Sequence, residues 1–347
     1  MNGIDSPRLG FCCKFIPPDG DKERTRRMNQ LGTTVTALAR LPRAAAVDKV
    51  LGLVDHNMQA LEWQLRDIAA RPPLEHLLRI ASEILPAYTH PQTRWIYDEP
   101  AILERIERGL GAAGELARRF GIRLSMHPGQ FCVMATDSPS ALANTLDELE
   151  YHTQVMRWLG HAGGWHPHGA HINVHGGARG PGVAVFRANL AKLSADCRGL
   201  LTVENDEIAY GLDDLLPLAD VLPIVLDLHH HWIKSGGEYI RPDDPRIARV
   251  AASWRGVRPL AHVSAPREGL VPDFDADSLP DFHALLAAGV KPRDLRGHSD
   301  MMWNRALNDL VAAHLAWADF EVEAKAKNLA SAQLAAQVAA RPAPGMA

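Results

Sequence analysis

The stretch LLTVENDEIAYGLDDLLPLADVLPIVLDLHHH, residues 200–231, decides the fold. Leu200–Val203 and Pro223–Leu226 are short apolar runs, the pattern of strands buried on both faces of a parallel sheet. A helical pattern, Leu212–Ala219, lies between them. Each run stops abruptly on an acid, Glu204 and Asp227. Two parallel strands joined this way carry those acids at the same end.

The pattern recurs on both sides. IRLSM precedes His127, AHINV precedes His175, RPLA precedes His262 and FEV precedes Glu323. Strands are predicted at Arg8–Cys13, Leu77–Ile80, Ile122–Met126, His171–Val174, Pro259–Val263 and Phe320–Glu323, besides the two above. Helices are predicted over Val47–Ala70, Pro100–Phe120, Pro139–Leu159, Val183–Ala195, Pro245–Trp254, Asp281–Ala288 and Asn328–Ala340. Pro100 stands at a first helical position, and Gly121 supplies a stop. Eight strands alternating with helices predict an α/β chain folded as a (β/α)8 TIM barrel with elaborated loops on its C-terminal face. The barrel is expected to form one domain, 1–340, with a disordered tail, 341–347.

A chain of 347 residues with 46% hydrophobic content suits one large barrel. The net charge of −4 does not advertise nucleic-acid binding, so a polyanion site must be local. Its four cysteines lack CxxC spacing, which argues against a disulfide framework or structural zinc and fits a reducing cytoplasm. No apolar run approaches membrane-spanning length, and the N-terminus lacks an apolar signal core. The segment 14–43 holds seven Lys or Arg against three acids. Lys22, Arg24, Arg26, Arg27, Arg40 and Arg43 there, with Arg94, Arg179, Lys234 and Arg267 on other loops, form a candidate basic rim for phosphates. A solvated polar loop is the plainer reading of that segment.

Seventeen histidines are many for this length. HPGQ at 127–130 and HGG at 175–177 each place an imidazole just past a strand, with glycine letting a ligand approach the backbone. Either could merely cap a strand. Glu204 can bridge two cations, which an imidazole cannot. Asp206 is a helix-cap candidate. Asp227 and His230 are three residues apart and can face one site; three consecutive histidines are rare without metal chemistry. His161, His166 and His168 are read as a loop at the opposite end of the barrel, with His171 starting a strand. One strand-end acid or histidine is ordinary, but six in barrel order are hard to produce by packing, because buried charges need partners. Imidazoles and carboxylates without thiolates suit Mn²⁺, Zn²⁺ or Fe²⁺. Such ions can activate water and clamp a phosphoryl group.

With RLGFCC, TALARLP, RIASEILP, HPGQF, INVHGG, VENDE, DLHHH, HVSAPREG and EVEAKAKNLA in this order, residues 8–335 resemble the UV damage endonuclease family. That resemblance implies a metal-dependent barrel akin to endonuclease IV, which cuts double-stranded DNA 5′ to a pyrimidine dimer or another distorting lesion. It implies two or three divalent ions, manganese first, held by His90, His127, His175, Glu204, Asp227, His230, His262, His298 and Glu323. Glu204, His230 and Glu323 are the catalytic candidates. Gln130 and Phe131 match the residues that probe flipped-out bases, and Phe11 stands where a stacking tyrosine is expected. A monomer without a protein partner or membrane attachment is expected.

The chain departs from the family pattern at several positions. Leu260 occupies a position where a modifiable lysine is common, so a third ion would need another donor such as Asp300 or water. Glu207 replaces an aspartate, His298 lies in GHSDM, and the stretch 269–297 is long. These departures keep open a small-molecule or peptide enzyme on the same platform, isomerase-like or an iron-dependent oxygenase. A metal-loaded DNA-binding protein without turnover also stays open.

Overall fold

The computed structural model describes residues 6–162, 168–270 and 275–341. Eight parallel strands close one barrel in sequence order: β1 (Leu9–Cys12), β2 (Leu77–Ile80), β3 (Arg123–Met126), β4 (His171–His175), β5 (Leu201–Glu204), β6 (Ile224–Asp227), β7 (Leu260–Val263) and β8 (Asp319–Val322). The predicted (β/α)8 barrel is therefore the observed fold. Helices follow the strands and cover the barrel. No helix among the described residues is long and apolar enough to cross a membrane.

Strand alternation sorts the side chains. Phe320 and Val322 of β8 join the apolar layer under the helices, while Asp319, Glu321 and Glu323 point into the barrel. The interior is built in layers. Leu77, Val225, Leu260 and Trp254 make an apolar layer near the strand N-termini. Beside it Asp319, fully buried, accepts from Arg123 Nη1 at 2.8 Å and Arg258 Nε at 2.8 Å and pairs with Arg8 Nη1 at 3.5 Å. Next come Arg79, Ser125 and Glu321: the serine hydroxyl donates to Glu321, and Arg79 Nε lies 3.4 Å from that carboxylate. The topmost layer holds the histidines and acids at the strand ends.

The structure refines the predicted elements. The segment 14–43 is not one irregular loop. It carries helices Lys22–Met28 and Val35–Ala39, started by the side chains of Asp21 and Thr34 accepting from backbone N–H groups. The next helix therefore begins earlier than expected, at Arg43. Helix Pro100–Phe120 ends on Gly121, whose φ of 65° needs a residue without a Cβ penalty. The predicted helix Val183–Ala195 is two helices, Val183–Leu190 and Ala195–Leu200, the second capped by Ser194. A helix the sequence reading omitted, Leu228–Ser235, starts directly after β6; the Asp227 side chain caps it by accepting from His230 N at 2.6 Å. Strand β8 begins at Asp319, one residue early. His171 opens β4 as predicted, its ring edge-on to Trp254 near the strand N-termini. His166 and most of the tail expected to be disordered, 342–347, lie outside the described residues.

Candidate metal centre

Strand register brings the site together. His175 on β4 pairs with Glu204 on β5, and Asp227 on β6 pairs with His262 on β7. Residues in register on parallel neighbours face the same side, here the barrel mouth. His127 follows β3 and Glu323 follows β8. His230 enters from the first turn of the helix that Asp227 caps.

Glu204 is the hub. His127, His175 and Glu204 form one group of converging ligand atoms; Glu204, His262 and Glu323 form a second; Glu204, Asp227 and His230 form a third. Within each group the ligand atoms lie within 4.8 Å of one another. Glu204 Oε2 lies 3.1 Å from His127 Nε2 and accepts from Asn173 Nδ2. Glu204 Oε1 lies 3.1 Å from His262 Nδ1 and 3.2 Å from His230 Nδ1. The two oxygens thus face opposite halves of the cluster.

Backbone and amide groups hold these side chains. His127 Nδ1 donates to the Pro128 carbonyl at 2.9 Å, which fixes the ring with Nε2 facing Glu204. Asn205 donates to the Asp227 carbonyl at 3.0 Å and accepts from the Asp227 N–H at 2.9 Å, fixing β5 against β6. Asn173 also accepts from Thr202 Oγ1 at 2.9 Å.

The electrostatics are those of a crowded buried cluster. Burial pushes the Glu204 carboxyl up, but the imidazoles of His262, His175, His127 and His230 outweigh it and hold it well below the usual range. Burial also pushes Glu323 up, and Arg79 and His262 outweigh it. Asp227 is pushed up by burial. Burial drives His175 down to about 4, which keeps its imidazole neutral and able to ligate.

The donor set fits divalent cations. Buried Glu204 Oε1, Asp227 Oδ2, His175 Nδ1 and His262 Nδ1 have no hydrogen-bond partner among the described residues. Such atoms are costly to bury unless something satisfies them.

Two expected site residues are not brought in. His90 is exposed and is not in the three groups; its Nδ1 accepts from Gln92 N at 3.2 Å and its carbonyl from Thr93 N and Arg94 N, so it opens a turn. Phe11 is 2% exposed and packs edge-on to Phe15. It shares its rung with Leu78 and Val322, which face the helices, so its ring is not offered to a ligand. His298 sits at the edge, its Nδ1 3.8 Å from Glu323 Oε2 and its ring centroid 6.2 Å from that of His230. Asp300 is exposed and paired with Lys325 at 3.0 Å, so it is not a donor to the cluster. Leu260 is buried in the apolar layer below His262.

Arg79, Glu321, Asn173 and Asn205 were missed by reading only strand ends. The signal for Glu321 was present: DFEVE alternates acid and apolar residues with period two, which places three acids on one face of β8. Beside the cluster, Gln130, His175, Arg179 and Glu207 line a cleft of ≈ 200 Å³. Glu207 Oε2 lies 3.8 Å from His230 Nε2. Phe131, at 61% exposure, projects from the same loop as Gln130. Arg179 donates to the Ile208 carbonyl at 2.8 Å and Lys234 to the same carbonyl at 2.9 Å, so both cations are pinned near the cleft.

Comparison with known proteins gives the same placement. The family model described as UV-endonuclease UvdE matches residues 7–342. A UV DNA damage endonuclease of Bacillus cereus is 30% identical over 67% of this chain and 72% of its own length. One from Bacillus pumilus is 30% identical over 61% of this chain and 67% of its own. A UV-damage endonuclease of Neurospora crassa is 31% identical over 57% of this chain, but the match spans only 31% of that longer protein. The crystal structure of SacUVDE superposes with a TM-score of 0.72 at 20% identity, covering 95% of this chain and 96% of the other, and shares the fold. The chain belongs to the UV-endonuclease UvdE family.

Proposed function

We propose that this chain is a divalent-metal-dependent DNA endonuclease that hydrolyses the phosphodiester 5′ to a pyrimidine dimer or other distorting lesion in double-stranded DNA. One observation carries the chemistry: Glu204 is shared by three groups of ligand atoms at the barrel mouth. The names of the Bacillus relatives support the substrate.

His127, His175, Glu204, Asp227, His230, His262 and Glu323 would hold two or three ions, with His298 reaching Glu323 from the edge. Manganese is our assignment; zinc or iron suits the same donors. Ions held there would supply Lewis-acid activation of water and neutralise charge developing on the phosphoryl oxygens. Glu204 would bridge ions, because its Oε1 faces His230 and His262 while its Oε2 faces His127. His230 and Glu323 would supply further donor atoms to such ions. Gln130 and Phe131 enter the gap left when damaged bases leave the stack, and the adjoining cleft receives what is flipped out. Arg179 and Lys234 bind flanking phosphates. We take residues 1–340 as one catalytic domain, acting as a monomer in the cytoplasm.

The test is a duplex with a single thymine dimer, 5′-labelled, incubated with Mn²⁺. A cut directly 5′ to the dimer, with a 3′-hydroxyl that a polymerase extends, is expected. Glu204→Gln should abolish it with the fold intact. Full cleavage by that variant overturns the assignment.

A further inference from the structure

His262 is surrounded by three carboxylates, and only two of them belong to the groups described above. Its Nδ1 faces Glu204 Oε1 at 3.1 Å and Glu323 Oε1 at 3.4 Å. Its other nitrogen, Nε2, faces Glu321 Oε2 at 3.2 Å. His262 and Glu321 stand in register on β7 and β8, and both are fully buried. Glu321 is itself held: the Ser125 hydroxyl, from across the barrel, donates to Oε1, and Arg79 Nε lies 3.4 Å from Oε2.

We infer that Glu321 is a positioning residue for the metal centre: it keeps the proton on His262 Nε2 and so leaves the Nδ1 lone pair for an ion that His262, Glu204 and Glu323 would hold. The inference deepens the metal-centre reading and rests on it. The physical reason is that an imidazole has one lone pair when neutral. Glu204 and Glu323 belong to a ligand group and would give their charge to an ion, whereas Glu321 belongs to none and can only accept an N–H, so the proton falls to Nε2 and Nδ1 is left as ligand, with its basicity raised. A buried ring between two acceptors on one side and one on the other could otherwise present either nitrogen. Arg79 spans Glu321 and Glu323, so the same guanidinium aligns the orienting acid and the proposed ligand. Ser125 fixes the carboxylate plane from the opposite wall.

Two measurements test this. In protein labelled with ¹⁵N-histidine and loaded with Zn²⁺, the His262 ring, identified by His262→Gln, should show a protonated Nε2 and a metal-bound Nδ1. A metal-bound Nε2 overturns the inference without any further variant. Second, Mn²⁺ binding is titrated for wild type, Glu321→Gln, His262→Ala and the double variant. Glu321→Gln should weaken one ion's binding by about 10–100-fold and leave the remainder unchanged. In the His262→Ala background it should have no further effect. Equal weakening in both backgrounds would mean that Glu321 acts through Glu323 or the fold, and the inference fails. If wild type binds neither Zn²⁺ nor Mn²⁺, the metal-centre reading itself fails. Should Glu321→Gln not fold, the ring spectrum of the wild type decides.

Discussion

His175 and Glu204 stand directly opposite one another at the ends of β4 and β5, and this rung sets the geometry of the whole centre. Asp227 and His262 repeat it one strand pair further round. Four donors are thus spaced by backbone hydrogen bonding, with no loop involved. Rigid elements hold donors more closely than loops do. His298 comes from the long connection between β7 and β8, and it stands outside the three groups with its Nδ1 3.8 Å from Glu323 Oε2.

If ions satisfy the buried acids, removing them should destabilise the protein. Chelation should lower the unfolding midpoint, and Mn²⁺ should restore it. At one hundred times the dissociation constant, one bound ion contributes about 2.7 kcal/mol. Glu204→Gln should remove most of this metal-dependent shift, because it takes a member from all three groups. An unchanged shift in that variant contradicts Glu204 as the hub. Differential scanning fluorimetry with and without chelator reads this.

The layer beneath is structural. Asp319→Ala leaves the buried guanidiniums of Arg123, Arg258 and Arg8 without their shared anion. Removing one partner from a buried ionic cluster costs about 3–5 kcal/mol. Chemical denaturation should show that loss. Manganese stoichiometry of the folded fraction should not change, because the Glu321 layer separates Asp319 from the ligands.

Acid should loosen the barrel through His171. Burial, aided by Arg123, pushes its ring from about 6.5 down to about 3. The unfolded chain therefore takes up this proton near pH 6.5 and the folded chain only near pH 3. Stability present above the upper value is lost as pH falls between the two, by roughly 3 kcal/mol from pH 7 to pH 4. His171→Asn should show a flatter dependence of denaturation midpoint on pH over that range. An identical slope contradicts the buried neutral ring.

Phe131 should matter to DNA and not to folding. At 61% exposure its truncation to alanine should move stability by less than about 0.5 kcal/mol. Cleavage of a dimer-containing duplex should fall by about 5- to 150-fold, given stacking terms of roughly 1–3 kcal/mol per base. Unchanged cleavage removes Phe131 from the lesion-probing role.

Much of this was legible in the sequence because parallel strands end abruptly. LLTV before Glu204 and PIVL before Asp227 mark both the strand and the side chain left at its mouth. Phe11 misled because a family position does not say which way a strand residue points; its rung with Leu78 and Val322 does. His90 was named only from a family position, and it stands exposed at the start of a turn, outside the three groups. The helix after β6 was hidden because Asp227 caps it, so one carboxylate serves as both helix start and candidate ligand. Glu321 was hidden inside the apolar run FEV, where only the alternation of β8 distinguishes it from filler. The two helices within 14–43 are short, and their local caps outweigh weak periodicity.

The most direct measurement is nicking of supercoiled plasmid by the Mn²⁺-loaded protein, with irradiated and untouched DNA compared side by side. Relaxation of the irradiated plasmid alone, absent with Glu204→Gln, is the predicted result. Equal nicking of both plasmids would contradict lesion selectivity, and no nicking by metal-replete protein would contradict the endonuclease assignment itself.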